Sequence, residues 1–331
     1  MKAGVIGGGS WGSAFARYLG GLGLPVRLWI REEDVFGEVL ASRENRRFLP
    51  GFRFSENVSF TRDPADAASF GDVVFFAVPA QFSRSVMRRA VPGISSRQTL
   101  ISLTKGIEER SLKRMTEIMA ETIGPYADPA TAVLSGPSFA REVALGHPTA
   151  VVLACQNRKK ALRIQALLSG IRLRVYVSRD VAGVEIAGAV KNVIAIAAGI
   201  SDGLEFGHNS RAALITRGIV EMKRLGVALG GCPETFAGLA GIGDLVLTCT
   251  GDLSRNKFVG MEIGRGRPVG DILAGMAMVA EGVRTTRSIR RLAAKAGVEM
   301  PICEQVDRVL YRRKSARRAL VDLMSRSLKN E

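Results

Sequence analysis

The chain opens on a short apolar segment, Ala3-Gly-Val-Ile6, that runs directly into Gly7-Gly-Gly-Ser-Trp-Gly12 and then into a helix-forming run, Ser13-Ala-Phe-Ala-Arg-Tyr-Leu19. Strand, glycine turn and helix in that order leave few folds open. Gly7, Gly9 and Gly12 hold the first, third and sixth positions of a dinucleotide fingerprint. There they permit the tight turn, let the backbone approach a pyrophosphate, and let the helix pack closely on the strand. The helix N-terminus adds unpaired N–H groups and positive dipole for the anion. A second strand, Val26-Arg-Leu-Trp29, follows at the right distance. The next residue normally selects the nicotinamide cofactor, an acid for a free adenosine ribose and a base for its 2′-phosphate. Arg31 stands there ahead of Glu32, which favours NADPH and leaves NADH possible.

Short β-rich segments alternate with helical ones up to about Val177, as in βα units on a parallel sheet. Further strands are expected at Val58 to Phe60, Asp72 to Ala77, Thr99 to Leu103, Thr131 to Leu134, Val151 to Ala154 and Leu173 to Val177. From Asp180 onward the pattern is helical. The expected fold is therefore α/β, a Rossmann-like dinucleotide-binding domain over 1–178 followed by an all-α domain over 179–331.

Composition excludes several classes. The net charge of +16 attracts anions, and much of the excess lies between Arg287 and Arg318. Aromatic residues do not interleave with these charges, so no nucleic-acid platform is expected. Four scattered cysteines suggest neither a disulfide framework nor a metal site, and they fit a reducing cytoplasm. No uncharged apolar run reaches membrane-spanning length, and the chain starts on a strand rather than a leader, so neither integral membrane association nor export is expected.

Lys191 lies inside Ile186-Ala-Gly-Ala-Val-Lys-Asn-Val-Ile-Ala-Ile-Ala-Ala-Gly-Ile200, a stretch otherwise free of charge. Its helical neighbours Ala187, Gly188, Ile194 and Ala195 carry no carboxylate, so something else must face the ammonium. Two readings stand: a proton donor and acceptor, or a lysine whose head reaches water at a cleft edge. Other groups fall where ligands collect, beyond the carboxyl ends of strands. Lys105 follows the Thr99 to Leu103 strand, and Ser135-Gly136-Pro137-Ser138-Phe139-Ala140 follows the Thr131 to Leu134 strand. Asp244 is one carboxylate in an apolar segment. Ser254-Arg255-Asn256 reads as an N-cap and first helical turn able to cradle a phosphate.

These segments resemble the bacterial-type NAD(P)-dependent glycerol-3-phosphate dehydrogenases. Besides the motifs already given, Asn45-Arg-Arg-Phe-Leu-Pro-Gly51, Lys105-Gly-Ile107, Gly188 to Gly199, Asp202-Gly203, Ala212-Ala-Leu-Ile-Thr-Arg-Gly218, Gly241-Ile-Gly-Asp244 and Glu281-Gly282 match in family order. The resemblance implies reversible hydride transfer between a nicotinamide cofactor and C2 of dihydroxyacetone phosphate, giving sn-glycerol 3-phosphate for glycerophospholipid synthesis, by a homodimer. It implies that Lys191 is the proton donor and base, that Lys105 polarises the carbonyl, and that Asp244 orients the lysine. Ser254, Arg255, Asn256 and Asn192, with Gly136 and Ser138, become substrate contacts. Ser10, Trp11, Arg31, Phe48, Lys105, Ala140, Arg255, Val279 and Glu281 become cofactor contacts beside Gly7, Gly9 and Gly12.

The chain departs from the family at Thr250-Gly-Asp-Leu253, where a Ser-Pro pair is usual, and at Glu205-Phe206, where a small residue is usual. Asp252 thereby adds a negative charge near the expected phosphate. His147 and His208 are read as structural. A β-hydroxyacid dehydrogenase would share the buried lysine, but Ser254-Arg255-Asn256 and Asp244 argue against it. A non-enzymatic NADP sensor with a polyanion-binding basic tail would instead lack turnover.

Overall fold

A computed structural model describes residues 1–276 and 278–327. Valine, favourable on a pleated buried surface, recurs in all but one of the strands: β1 (Ala3–Ile6), β2 (Val26–Trp29), β3 (Val58–Thr61), β4 (Val73–Phe76), β5 (Thr99–Ser102), β6 (Ala130–Ser135), β7 (Thr149–Cys155) and β8 (Leu173–Ser178). They form one sheet in the order β3-β2-β1-β4-β5-β6-β7-β8. Every expected strand is present. The sheet is parallel as expected except at one seam, where β7 runs antiparallel to β6, while β8 is parallel to β7.

Between the strands lie α1 (Ser10–Gly21), α2 (Glu33–Ser42), α3 (Pro64–Phe70), α4 (Ala80–Ala90), α5 (Met115–Thr122), α6 (Ala140–Leu145) and α7 (Arg158–Leu168). Successive residues of a strand point to opposite faces, so both faces are apolar and both are covered. Val73 and Phe75 join a core with Phe15 and Leu19 of α1, whereas Val74 and Phe76 join one with Ala67 of α3 and Met87 of α4. The strand order reverses between β1 and β4, the place where open α/β sheets take their ligands.

The second half is helical: α8 (Val181–Gly203), α9 (Gly207–Ala228), α10 (Asp244–Thr250), α11 (Arg255–Gly264), α12 (Val269–Ala274), α13 (Glu281–Lys295), α14 (Pro301–Tyr311) and α15 (Ala316–Met324). α8 is long and apolar enough to cross a bilayer, yet 89% of its apolar window is buried inside the protein, as in a core helix. It meets α11 backbone to backbone. A Cβ on Gly199 would stand 2.0 Å from the Lys257 carbonyl oxygen, and one on Gly260 would stand 2.1 Å from that of Ile196.

The chain divides into two compact units, Met1–Lys105 with Lys113–Glu185, and Gly106–Leu112 with everything from Ile186 onward. This division falls inside α8, between Glu185 and Ile186, for a physical reason. Glu185 accepts from the Thr116 backbone at 2.9 Å and its hydroxyl at 2.6 Å, and so belongs with the sheet, whereas Ile107 is buried in the helical core. Residues 328–331 of the expected second domain lie outside the described residues.

Candidate active site

In the sheet unit, Gly9 is the N-cap of α1. Gly7 sits at φ +130°, and its Cβ would stand 2.5 Å from the Ala77 carbonyl oxygen at the end of β4; a Cβ on Gly12 would stand 1.8 Å from the Gly7 oxygen. The protein's own packing demands both glycines. Gly9 differs, because a Cβ there would meet nothing within 4 Å. Packing within the protein therefore does not account for a glycine there. The Trp11 ring packs 5.7 Å from Phe15, while its Nε1 is a buried donor with no acceptor among the described residues. An orphaned donor and an open glycine at a helix N-terminus fit a dinucleotide anion.

Asn45, fully buried, braces the turn by donating to Gly8 O at 2.8 Å and Ser13 Oγ at 2.9 Å, and accepts from the Phe48 backbone at 3.1 Å. That role was not foreseen, although Asn45 opens a recognised motif. Arg31 is exposed and turned onto Glu32 Oε1 through Nη2 at 2.6 Å. Lys105, just past β5, donates to Gly136 O at 2.8 Å and lies 3.5 Å from Ser138 Oγ; Gly136 takes the left-handed φ of +133°. Lys105, Gly136 and Ser138 are thus gathered, and Ala140 opens α6 just beyond them.

In the helical unit, Lys191 on α8 is 6% exposed, and its Nζ donates to Asp244 Oδ1 at 2.6 Å and Thr248 Oγ1 at 2.8 Å. The facing charge is a carboxylate 53 residues away in sequence. A π turn, Leu239–Gly243, delivers Asp244 to the start of α10, and Thr248 stands one helical turn later on the same face. The Thr248 hydroxyl donates to Asp244 O at 2.6 Å, so an oxygen lone pair faces the ammonium. Thr248 was not foreseen; its spacing of four from Asp244 was the available signal. Burial pushes the neighbouring Cys249 thiol up to about 12, which keeps it protonated and unsuited to nucleophilic attack at neutral pH.

Asn192 and Asn256 are bonded to each other: Asn256 Nδ2 donates to Asn192 Oδ1 at 2.9 Å, and Gly282 N donates to Asn256 Oδ1 at 2.9 Å. The chain ties α8, α11 and α13 together. Ser254 caps α11, its Oγ accepting from Lys257 N at 3.2 Å. Desolvation draws the Arg255 guanidinium below its ordinary pKa, and the nearby Glu281 carboxylate opposes the shift. Glu281 begins α13, and Val279 just before it is 43% exposed. Both histidines are on the surface.

The family described as NAD-dependent glycerol-3-phosphate dehydrogenase matches the chain twice, its N-terminal part over residues 2–161 and its C-terminal part over residues 180–321. A relative named glycerol-3-phosphate dehydrogenase of the NAD(P)+ type, from Citrifermentans bemidjiense, is 53% identical over 330 residues, covering 100% of this chain and 98% of its own. One of the same name from Solidesulfovibrio magneticus is 49% identical over 331 residues, covering 100% of both. Among solved structures, the glycerol-3-phosphate dehydrogenase of Coxiella burnetii superposes with a TM-score of 0.94 at 39% identity, covering 98% of this chain and 99% of its own.

Proposed function

The chain belongs to the NAD-dependent glycerol-3-phosphate dehydrogenase family, and from that membership we propose how its own residues carry out the NAD(P)-dependent interconversion of dihydroxyacetone phosphate and sn-glycerol 3-phosphate. The observation that carries the reading is the Lys191 ammonium, buried against Asp244 at 2.6 Å and Thr248 at 2.8 Å. In reduction Lys191 gives a proton to the C2 oxygen as it becomes an alkoxide; in oxidation the neutral amine takes it back. Asp244 and Thr248 hold the amine in one orientation. The nicotinamide cofactor, when bound, supplies or accepts the hydride at C2.

Lys105, with Gly136 and Ser138, donates to the substrate and stabilises the charge that develops on its oxygen. Ser254, Arg255, Asn256 and Asn192, with the first N–H groups of α11, hold the phosphate, and the bond between Asn256 and Asn192 keeps that helix end in place. The turn Gly7 to Gly12 takes the pyrophosphate of the dinucleotide, with Ser10, Trp11, Phe48, Ala140, Val279 and Glu281 as further contacts. Arg31 supports a preference for NADPH, with NADH accepted. Exposed Val227, Ile242 and Val246 support a homodimer, and four free cysteines suit the cytoplasm. The product suits a role as the backbone of glycerophospholipids.

Purified protein mixed with dihydroxyacetone phosphate and NADPH, with NADH in parallel, tests the reading by the loss of near-ultraviolet absorbance. Lys191→Met should keep cofactor binding and lose about 10²–10⁴-fold in turnover, the usual contribution of a positioned acid–base group. Near-normal turnover of that variant would overturn the assignment.

A further inference from the structure

We propose that Lys257 is the positioning residue that holds the substrate-phosphate end of α11 in its working geometry, an inference that rests on the reading of Ser254 and Arg255 as phosphate ligands. Lys257 is 8% exposed, yet it carries a charge and lies one turn from that helix end. Its backbone N–H donates to Ser254 Oγ at 3.2 Å, closing the cap. Its Nζ reaches back to Thr250 O at 2.9 Å and Asp252 Oδ1 at 3.1 Å, and lies 3.8 Å from Asp202 Oδ2. Asp202 is itself held by Arg211 at 2.7 Å. One residue therefore fastens the loop 250–254 at both ends. An ammonium suits the task because its three donors diverge toward three separate oxygens.

The loop it fastens is the one that departs from the family pattern. The Asp252 side chain is 99% exposed, and a carboxylate in solvent close to the phosphate site would repel a phosphorylated substrate. Asp252 Oδ1 lies 3.1 Å from the Lys257 ammonium, which offsets that repulsion. The body of α11 has little freedom, since its glycines interlock with those of α8. The first turn and its loop are the part left to be set, and Lys257 sets them.

The test compares kcat and KM of the full-length enzyme for dihydroxyacetone phosphate and for phosphate-free dihydroxyacetone, in Lys257→Met, Lys257→Gln, Lys257→Arg and Arg255→Leu. Losing these part-buried charged hydrogen bonds should raise KM for the phosphorylated ketone about tenfold in Lys257→Met, with kcat within about threefold. Values for dihydroxyacetone should be unchanged, Lys257→Arg should restore most of the loss, and Lys257→Gln, which keeps one donor for Thr250 O, should fall between them even if the Met variant does not fold. An unchanged KM in the Gln and Met variants, or an equal loss on both ketones that Arg does not rescue, would refute the inference. Arg255→Leu separates the two levels. If it loses the preference for the phosphorylated ketone and the Lys257 variants keep it, only the inference fails; if it keeps the preference, the phosphate reading itself is wrong.

Discussion

A methyl group at Gly199 should break the register on which the helical site depends. The added Cβ would stand 2.0 Å from the Lys257 carbonyl oxygen, about 1.5 Å short of an ordinary contact of about 3.5 Å. The acceptor is helix backbone, not the end of a flexible side chain, so α8 and α11 must part. Overpacking of this kind costs about 1–3 kcal/mol, and contact with rigid backbone argues for the upper end. Replacing glycine by alanine inside a helix returns about 1 kcal/mol of backbone propensity. The net loss is then about 2 kcal/mol, or on the order of 4–8 °C in Tm. Activity should suffer more than stability. Lys191 and Asn192 ride on α8, Arg255 and Asn256 ride on α11, and a displacement of about 1 Å between reacting groups can cost about 10²-fold. The assay is thermal unfolding beside kcat/KM for Gly199→Ala, with Gly37→Ala as control, since a Cβ on Gly37 in α2 meets nothing within 4 Å. If Gly199→Ala matches that control in both readouts, the interlock does not position the site.

Three further outcomes are expected. Asp244→Asn leaves the buried Lys191 ammonium without its charge partner and should cost about 3–5 kcal/mol, whereas the double change Lys191→Met with Asp244→Leu should be far milder; chemical denaturation of both compares them. Burial pushes the Glu221 carboxyl up to about 7 from 4.5, although it accepts from Ile302 N at 2.6 Å and Cys303 N at 3.2 Å. A raised carboxyl pKa favours the fold while the group is protonated, so this contribution is complete below pH 4.5 and is lost as pH rises to about 7. The difference of about 2.5 pH units amounts to about 3 kcal/mol, and Glu221→Gln should flatten the dependence of unfolding free energy on pH across that window. Arg31→Ala should lower kcat/KM with NADPH several-fold more than with NADH, and an unchanged ratio would remove Arg31 from cofactor selection.

The sheet was legible because its signals are local. Alternating apolar runs and the glycine turn at residues 7–12 are written over a few consecutive residues, and each strand lies where those runs place it. The reversal of β7 was not legible, since direction depends on which way the chain returns after α6, and the residues of β7 would suit either ladder. The site divides in the same way. Lys191 announced that a partner must exist, because a charge in an apolar helix is costly, but nothing within one turn of it could say which. The family resemblance named Asp244 as the group that orients it, and the fold adds Thr248, one helical turn further along α10. Asn256 carries a role that no local pattern shows: its place after Ser254 and Arg255 suggests a direct ligand, and its bonds to Asn192 and Gly282 also tie three helices together. A local motif names the residue types a reaction needs; only the fold decides which of them face the substrate and which hold the others still.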